Sequence, residues 1–474
     1  MRLEGGTVTV PVDRMSPQDA SFLHIEDDVS HMHIASVAIF EGPEPPFTAI
    51  VAMVQGKLPL LRRYRQRVRF VPFNLGRPVW VDDPYFNLDY HVRHTALPVP
   101  GGEAELRRLV GRVMSQQLDR SKPLWEMWVV QGLEDGRWAI LSKVHHGMVD
   151  GVSGTDLLAV VLDSTPEGSP SVPDHWSPEP APSPPALVAQ ALSDMAHSPY
   201  EQARALRAAT RAPRHAATQL VMVGSGLWGL SGLARPTPPS TLNGPIGPHR
   251  RWGWASTTVD EIKRVRKATG ATFNDVVLAA ITRGFRDLLR GRCESVDRFV
   301  RTLVPVSVRP RDVSGRAVGD GTFENRVSAM FAELPVGIDD SIERLYVIST
   351  QMAGLKESKQ AVAGEALTAL SGFAPPALLA LGTRLAFRTP QRTVNTVTTN
   401  VPGPQLPLYA AGRRMLQAYP YVPLAGQLRV GVAIFSYDGQ VNFGITGDYD
   451  SAADIDVLGR GIEAGMEEML AAVA

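Results

Sequence analysis

The sequence predicts two α/β domains of similar size joined by a proline-rich stretch. Three observations carry this reading. Strand-like and helix-like patterns occur in both halves of the 474-residue chain. Eight prolines fall between Pro166 and Pro185, which reads as an extended connection. The length exceeds what one hydrophobic core usually encloses. We place the first domain at residues 1–165, the linker and a helical crossover at 166–240, and the second domain at 241–474.

In the first domain, Ile34 to Phe40 reads as a strand. Leu106, Leu109, Val110, Val113, Met114 and Leu118 recur at helical spacing and predict an amphipathic helix. Pro123-Leu124-Trp125 follows it. Trp125 to Val130 and Trp138 to Val144 read as strands, with Asp135-Gly136 as a hairpin turn between them. A helix is expected to start near Ser153. In the crossover, the Ala-rich, Arg-bearing run Glu201 to Arg211 precedes Leu220 to Leu233, apolar, glycine-rich and too short to span a bilayer. Arg204, Arg207, Arg211 and Arg214 stand before it. Two readings stay open: helices lying on a lipid surface, or a crossover packed across both domains. In the second domain, Val259 to Thr269 predicts a helix ended by Gly270. Thr272 and Asp275 form a capping-box-like start to the next helix. Phe299 to Val308, Val394 to Val401, Leu428 to Phe435 and Val441 to Gly447 read as strands, and Asp438-Gly439 as a hairpin turn.

Composition narrows the function. The chain is 44% hydrophobic and 20% charged, which excludes a disordered chain and a multi-pass membrane protein. Basic and acidic residues number 48 each, so no nucleic-acid partner is expected. Cys293 is the single cysteine and rules out an internal disulfide framework and a cysteine-rich zinc site. Met1 to Met15 lacks an export signal, and no run of about 18 apolar residues occurs. A cytoplasmic location is therefore expected, with residues 1–14 as a dispensable leader.

The chemistry concentrates in His145-His146-Gly147-Met148-Val149-Asp150-Gly151. If strand geometry persists to the end of the preceding strand, the two histidines point to opposite faces. One can then face a cavity while the other packs behind it. Gly147 and Gly151 permit a tight turn and leave room for a ligand, and Asp150 can fold back to fix the loop. A neutral imidazole can take a proton from a hydroxyl, which is general-base catalysis. Two other readings stand beside it on spacing alone. His146 and Asp150 sit four residues apart, as metal ligands on a helix would, but the glycines argue for a loop and no third ligand is evident. A buried structural histidine pair is the other.

His-His-x-x-x-Asp-Gly resembles the signature of a broad acyltransferase superfamily that includes chloramphenicol acetyltransferase and the condensation domains of peptide synthetases. The flanking segments are narrower. Met15-Ser16-Pro17-Gln18-Asp19-Ala20, Pro123-Leu124-Trp125-Glu126, Asn243-Gly244-Pro245 with Arg250-Arg251, Asn274-Asp275-Val276-Val277-Leu278-Ala279, Pro305-Val306-Ser307-Val308-Arg309 and Asn400-Val401-Pro402-Gly403-Pro404 occur in order. Together they resemble the bacterial wax ester synthase/acyl-CoA:diacylglycerol acyltransferase family, of the actinobacterial triacylglycerol synthase type, from Met15 to about Tyr449.

That resemblance implies an α/β fold of two chloramphenicol-acetyltransferase-like domains with an active-site channel between them. It implies that His146 is the general base, removing the proton of an acceptor hydroxyl that attacks an acyl-CoA thioester. His145 would be a structural neighbour. Asp150 would orient the loop through a salt bridge, with Arg309 as partner, and Gly151 would complete the turn. Asn274, in a helix's first turn, would donate to the oxyanion or orient the acceptor, and Asp275 would cap. Asn400, Pro402 and Gly403 would form a rigid turn shaping the channel, with Thr398 before them as a hydroxyl donor. Pro123, Leu124 and Trp125 would pack the core or line the acyl channel. The implied partners are a long-chain acyl-CoA and diacylglycerol or a fatty alcohol, with peripheral contact to a membrane or lipid-droplet surface. No metal and no cofactor beyond the acyl-CoA substrate are implied. A carrier-dependent or specialised lipid acyltransferase, and a non-catalytic lipid binder on the same fold, are the alternative expectations.

Overall fold

The structure is a computed structural model that describes residues 13–148, 157–194, 236–307, 327–357 and 393–474. Two six-stranded mixed sheets organise it. The first sheet takes β2 (His33–Phe40), β5 (Val92–Ala96), β6 (Trp125–Gln131) and β7 (Trp138–His145) from the first half of the chain. The second contains β8 (Arg250–Thr258), β9 (Val300–Ser307), β10 (Val327–Leu334), β11 (Thr396–Pro402), β14 (Val430–Tyr437) and β15 (Gln440–Asp448). A three-stranded sheet of β1 (Asp13–Arg14), β3 (Gln66–Arg69) and β4 (Val79–Asp82) flanks the first.

One connection crosses between the halves. β12 (Tyr409–Ala410) and β13 (Arg413–Tyr421) lie late in the chain, yet β13 pairs antiparallel with β2 and extends the first sheet. The stretch 241–474 is therefore not confined to the second sheet. β13 also lies across β15: Asn442 donates to the Ala418 carbonyl at 3.0 Å. Trp252, Tyr419 and Tyr421 are buried there with Val110 and Val113 of the helix Glu103–Met114.

Most expected elements form, and for the expected reasons. The helix Val259–Thr269 opens on a Thr258/Glu261 capping box and ends at Gly270, which takes φ 75°. Thr272 and Asp275 cap the helix Phe273–Gly291 reciprocally. Its residues Val276 to Ile281 are all fully buried, because the second sheet and the helices Ser341–Glu357 and Ile455–Ala472 cover every side. Both hairpin turns use positive φ: 61° and 68° at Asp135-Gly136, 44° and 82° at Asp438-Gly439.

One boundary differs from expectation. Leu118 carries the helical period but lies outside the helix Glu103–Met114. Buried Lys143 of β7 donates to the carbonyls of Val113 and Gln116, and Ser115 Oγ donates to Gly111 O at 2.6 Å. These donors satisfy the helix's last carbonyls and let the chain leave it. The start of the helix expected near Ser153, residues 201–233 of the crossover, Asp150, Gly151 and Arg309 lie outside the described residues, while Leu157–Val161 is helical. Among the described residues no helix is long and apolar enough to cross a membrane.

Candidate active site

β7 is buried along its whole length and delivers the two histidines. The ladder holds its end: Trp125 pairs with Val144, and the His145 N–H donates to Leu124 O at 2.9 Å. Pro123-Leu124-Trp125 thus anchors the strand that carries the histidines. Leu124 and Trp125 are core side chains, with Trp125 Nε1 donating to Tyr64 O at 2.8 Å.

At His146 the chain leaves the strand and makes a single helical turn, residues His146–Met148. The two rings still separate, because the backbone turns and not because the pleat continues. The His146 N–H donates to Met32 O at 2.8 Å. Its ring stacks on Phe22 with centroids 4.0 Å apart, and its buried Nδ1 has no hydrogen-bond partner among the described residues. Burial pushes the imidazole down to about 4, so it is neutral at pH 7.

Phe22 reaches that position through the opening motif. Ser16 caps the helix Pro17–Ile25 by accepting from the Asp19 N–H at 3.0 Å and donates to the Asp19 carboxylate at 2.6 Å. The helix packs against the turn closely: a Cβ on Gly147 would sit 3.1 Å from Asp19 O and 3.2 Å from His145 Nδ1. Gly147 therefore serves close approach, without a positive φ.

Behind the turn, His145 faces a buried carboxylate. Its Nε2 lies 3.2 Å from Glu26 Oε2, while its Nδ1 accepts from the Gly147 N–H at 3.0 Å. Arg120 Nη2 is 2.5 Å from the same Oε2, and His33 Nε2 is 3.4 Å from Oε1. Burial would raise the Glu26 carboxyl, but the His145 and His33 imidazoles beside it outweigh that and hold the group well below the usual carboxylate range. His33 itself is pushed down to about 3 by burial.

A second set of polar groups lies on the other sheet. Asn274 is the second residue of the helix Phe273–Gly291, where backbone N–H groups lack helical partners. Asn400 Nδ2 of β11 donates to Asn274 Oδ1 at 3.4 Å, so among the described residues the Asn274 amide hydrogens remain available as donors. Asp275 caps, and it accepts from Ser349 Oγ at 3.1 Å. Thr398 is buried and accepts from Thr302 Oγ1 at 2.8 Å, so its hydroxyl serves β11–β9 packing. Pro402 ends β11. At Gly403 a Cβ would lie 2.2 Å from Ser436 O, so this glycine lets β11 end flush against β14. Among the described residues, hydrogen bonds and ring contacts gather the His146 group and the Asn274 group separately and do not join them. Nor is any group of three or more His, Cys, Asp and Glu side chains there arranged to hold a metal ion.

The profile of the wax ester synthase/diacylglycerol acyltransferase catalytic domain matches residues 15–277, and that of the C-terminal domain matches 323–470. The chain belongs to the wax ester synthase/diacylglycerol acyltransferase family. It is 39% identical over 468 residues to a probable diacylglycerol O-acyltransferase, tgs1, of Mycobacterium tuberculosis H37Rv, covering 97% of this chain and 96% of that one. Among solved structures it is similar to the wax ester synthase/diacylglycerol acyltransferase of Marinobacter aquaeolei VT8, with TM-score 0.67, 26% identity and coverage of 97% and 99%. The first condensation domain of the calcium-dependent antibiotic synthetase shares the fold, at TM-score 0.58, 15% identity and coverage of 98% and 97%.

Within this wax ester synthase/diacylglycerol acyltransferase fold, several motif residues prove structural. Asn243 accepts from Asn395 Nδ2 at 2.7 Å and donates to Val394 O at 2.9 Å, tying the chain's re-entry to β11. Arg250 is buried and donates to Val29 O across the two halves. Sequence reasoning missed Glu26, Arg120 and His33. The available signal was His31 and His33, two residues apart where a strand begins and soon after an acid, but His145 lies more than a hundred residues further on.

Proposed function

We propose that this wax ester synthase/diacylglycerol acyltransferase moves a long-chain acyl group from acyl-CoA to the hydroxyl of a lipid alcohol, with His146 as general base. The observation that carries this is a neutral imidazole on a pinned turn, its Nδ1 unpartnered among the described residues and its neighbour anchored behind it. His146 removes the hydroxyl proton as the alcohol oxygen bonds to the thioester carbon. The C–S bond then breaks, and His146 returns the proton to the departing CoA thiolate. An Asn274 N–H, beside the open N–H groups of its helix, stabilises the oxyanion. For Asp150, Arg309 and Gly151, outside the described residues, the family motif implies a loop-orienting salt bridge and the glycine that follows it. The alcohol is diacylglycerol or a fatty alcohol, delivered at a membrane or lipid-droplet surface. The chemistry calls for no metal and no cofactor beyond the acyl-CoA substrate.

The test is thiol release from palmitoyl-CoA with hexadecanol or dipalmitoylglycerol, with products separated by thin-layer chromatography. Wild type should give alcohol-dependent release and a new neutral lipid. A folded His146→Ala should lose about 10²–10⁴ in rate. Release that is unchanged in His146→Ala, or no ester with either alcohol from folded wild type, would overturn the reading.

A further inference from the structure

We infer that Glu26 is a positioning residue for the general base, acting through His145; the inference rests on the role proposed for His146. Glu26 ends the helix that carries Phe22, and it is buried. Its Oε2 meets Arg120 and His145 together, at 2.5 and 3.2 Å. Gln117 Nε2 and His33 Nε2 approach Oε1, at 3.5 and 3.4 Å.

The consequence is a defined tautomer. His145 Nδ1 accepts the Gly147 N–H, so it carries no proton. The single ring proton then sits on Nε2, the nitrogen that lies 3.2 Å from Glu26 Oε2. Rotating or flipping the ring would break the Gly147 hydrogen bond at Nδ1 and the 3.2 Å charge contact between Nε2 and Glu26. Gly147 directly follows His146. The chain Arg120–Glu26–His145–Gly147 therefore fixes the backbone of the catalytic turn from behind, while Phe22 fixes the His146 ring from the front. Glu26 touches no reacting atom in this arrangement. It selects the imidazole tautomer that can hold Gly147, and Arg120 balances its charge. A shift of the base by an ångström or less is enough to cost rate without costing binding.

The test uses the full-length enzyme and compares Glu26→Gln, His145→Asn and the double variant. Asn at 145 keeps an oxygen near the place of Nδ1 to accept the Gly147 N–H, but cannot reach Glu26. Glu26→Gln should lower kcat by about 10–100-fold, with KM for palmitoyl-CoA and for the alcohol within about threefold of wild type. In the His145→Asn background the same substitution should change kcat less than about twofold, because the path it acts through is already cut. A folded Glu26→Gln with kcat within twofold of wild type would overturn the inference. So would an equal loss in both backgrounds, which would make Glu26 a support of the fold alone. A second readout needs no turnover. Nitrogen-15 spectra of the histidine side chains, with His145 assigned by its loss in His145→Asn, should show its proton on Nε2 in wild type. A proton on Nδ1 would overturn the tautomer argument even if the enzyme made no ester, so failure of the acyltransfer reading and failure of this one are told apart.

Discussion

His146 is suited to proton removal because burial keeps it neutral far below physiological pH. The sign follows directly. A base must be unprotonated in the free enzyme, and a value of about 4 leaves it so down to mildly acid conditions. The acid limb of kcat/KM should therefore fall below about pH 5, in place of the usual histidine midpoint near 6.5. A limb at 6.5 would show that the ring is more solvated than the structure indicates. Asn274 offers a different check. Asn274→Ala should cut kcat by about 10²–10³ if its amide meets the oxyanion, while Asn274→Asp should do no better, since it replaces a donor with negative charge. Both are read by steady-state kinetics on folded protein. At this scale His145, His146 and Asn274 were legible because each sits in a short motif. Glu26 was not, because its meaning depends on partners at positions 120 and 145 that only the fold brings together.

Elements decide how the two sheets meet. Gly444 of β15 lies against β13: a Cβ there would be 1.7 Å from Pro420 O. Gly111 plays the same part for the helix Glu103–Met114, where a Cβ would lie 2.7 Å from Arg250 O. Gly444→Ala should therefore cost about 1–3 kcal/mol, at the upper end because the obstacle is backbone. The contrasting site is Gly354, exposed in the helix Ser341–Glu357, where a Cβ meets nothing within 4 Å among the described residues. Gly354→Ala should gain about 0.5–1 kcal/mol through helix propensity. Urea midpoints at unchanged slope would measure both. β2, β6, β7, β9, β11, β14 and β15 were legible from their apolar runs and turn signals, whereas β8 and β10 were not read as strands. β13 was not legible, because Arg413, Arg414, Gln417 and Pro420 interrupt its pattern. It earns its place in the first sheet from pairing with β2, and short β3, β4 and β5 were likewise invisible to periodicity. The proline-rich stretch was read as a linker from composition alone. In the structure its residues 166–183 lie without regular structure against the first domain, held by Arg65 between Asp174, at 2.5 Å, and the Trp176 ring, at 4.9 Å.

The whole molecule stores several histidines in neutral form, and that sets its response to acid. Burial pushes His33 down to about 3 and His91 and His146 down to about 4, and it lowers His31 as well. Burial, with the Trp125 ring stacked 4.5 Å away, keeps His91 neutral, against the bond from Nδ1 to Trp125 O at 2.8 Å, which favours the charged form. In the unfolded chain each titrates near 6.5. As pH falls from 6.5 towards 4, the unfolded chain binds these protons and the folded one does not, so stability falls through that window and is unaffected above it. Glu26 acts in the same direction, because its depressed value makes its contribution one that is lost on acidification. The slope is about 1.4 kcal/mol per pH unit for each buried histidine that stays neutral. Lys143, pushed down to about 8 by burial, adds stability only as pH rises above that value, and Tyr421, pushed up to about 12, removes some above about pH 10. Melting temperature should therefore drop steeply between pH 6.5 and 4.5 and stay nearly flat between 7 and 8. His91→Phe keeps the aromatic stack on Trp125 and cannot take a proton. It should lower stability at pH 7, through the lost hydrogen bond, yet flatten the acid slope by about one histidine's share. Calorimetry across that pH range would settle it: an acid slope identical to wild type would mean that His91 is already exchanging protons with solvent in the folded state.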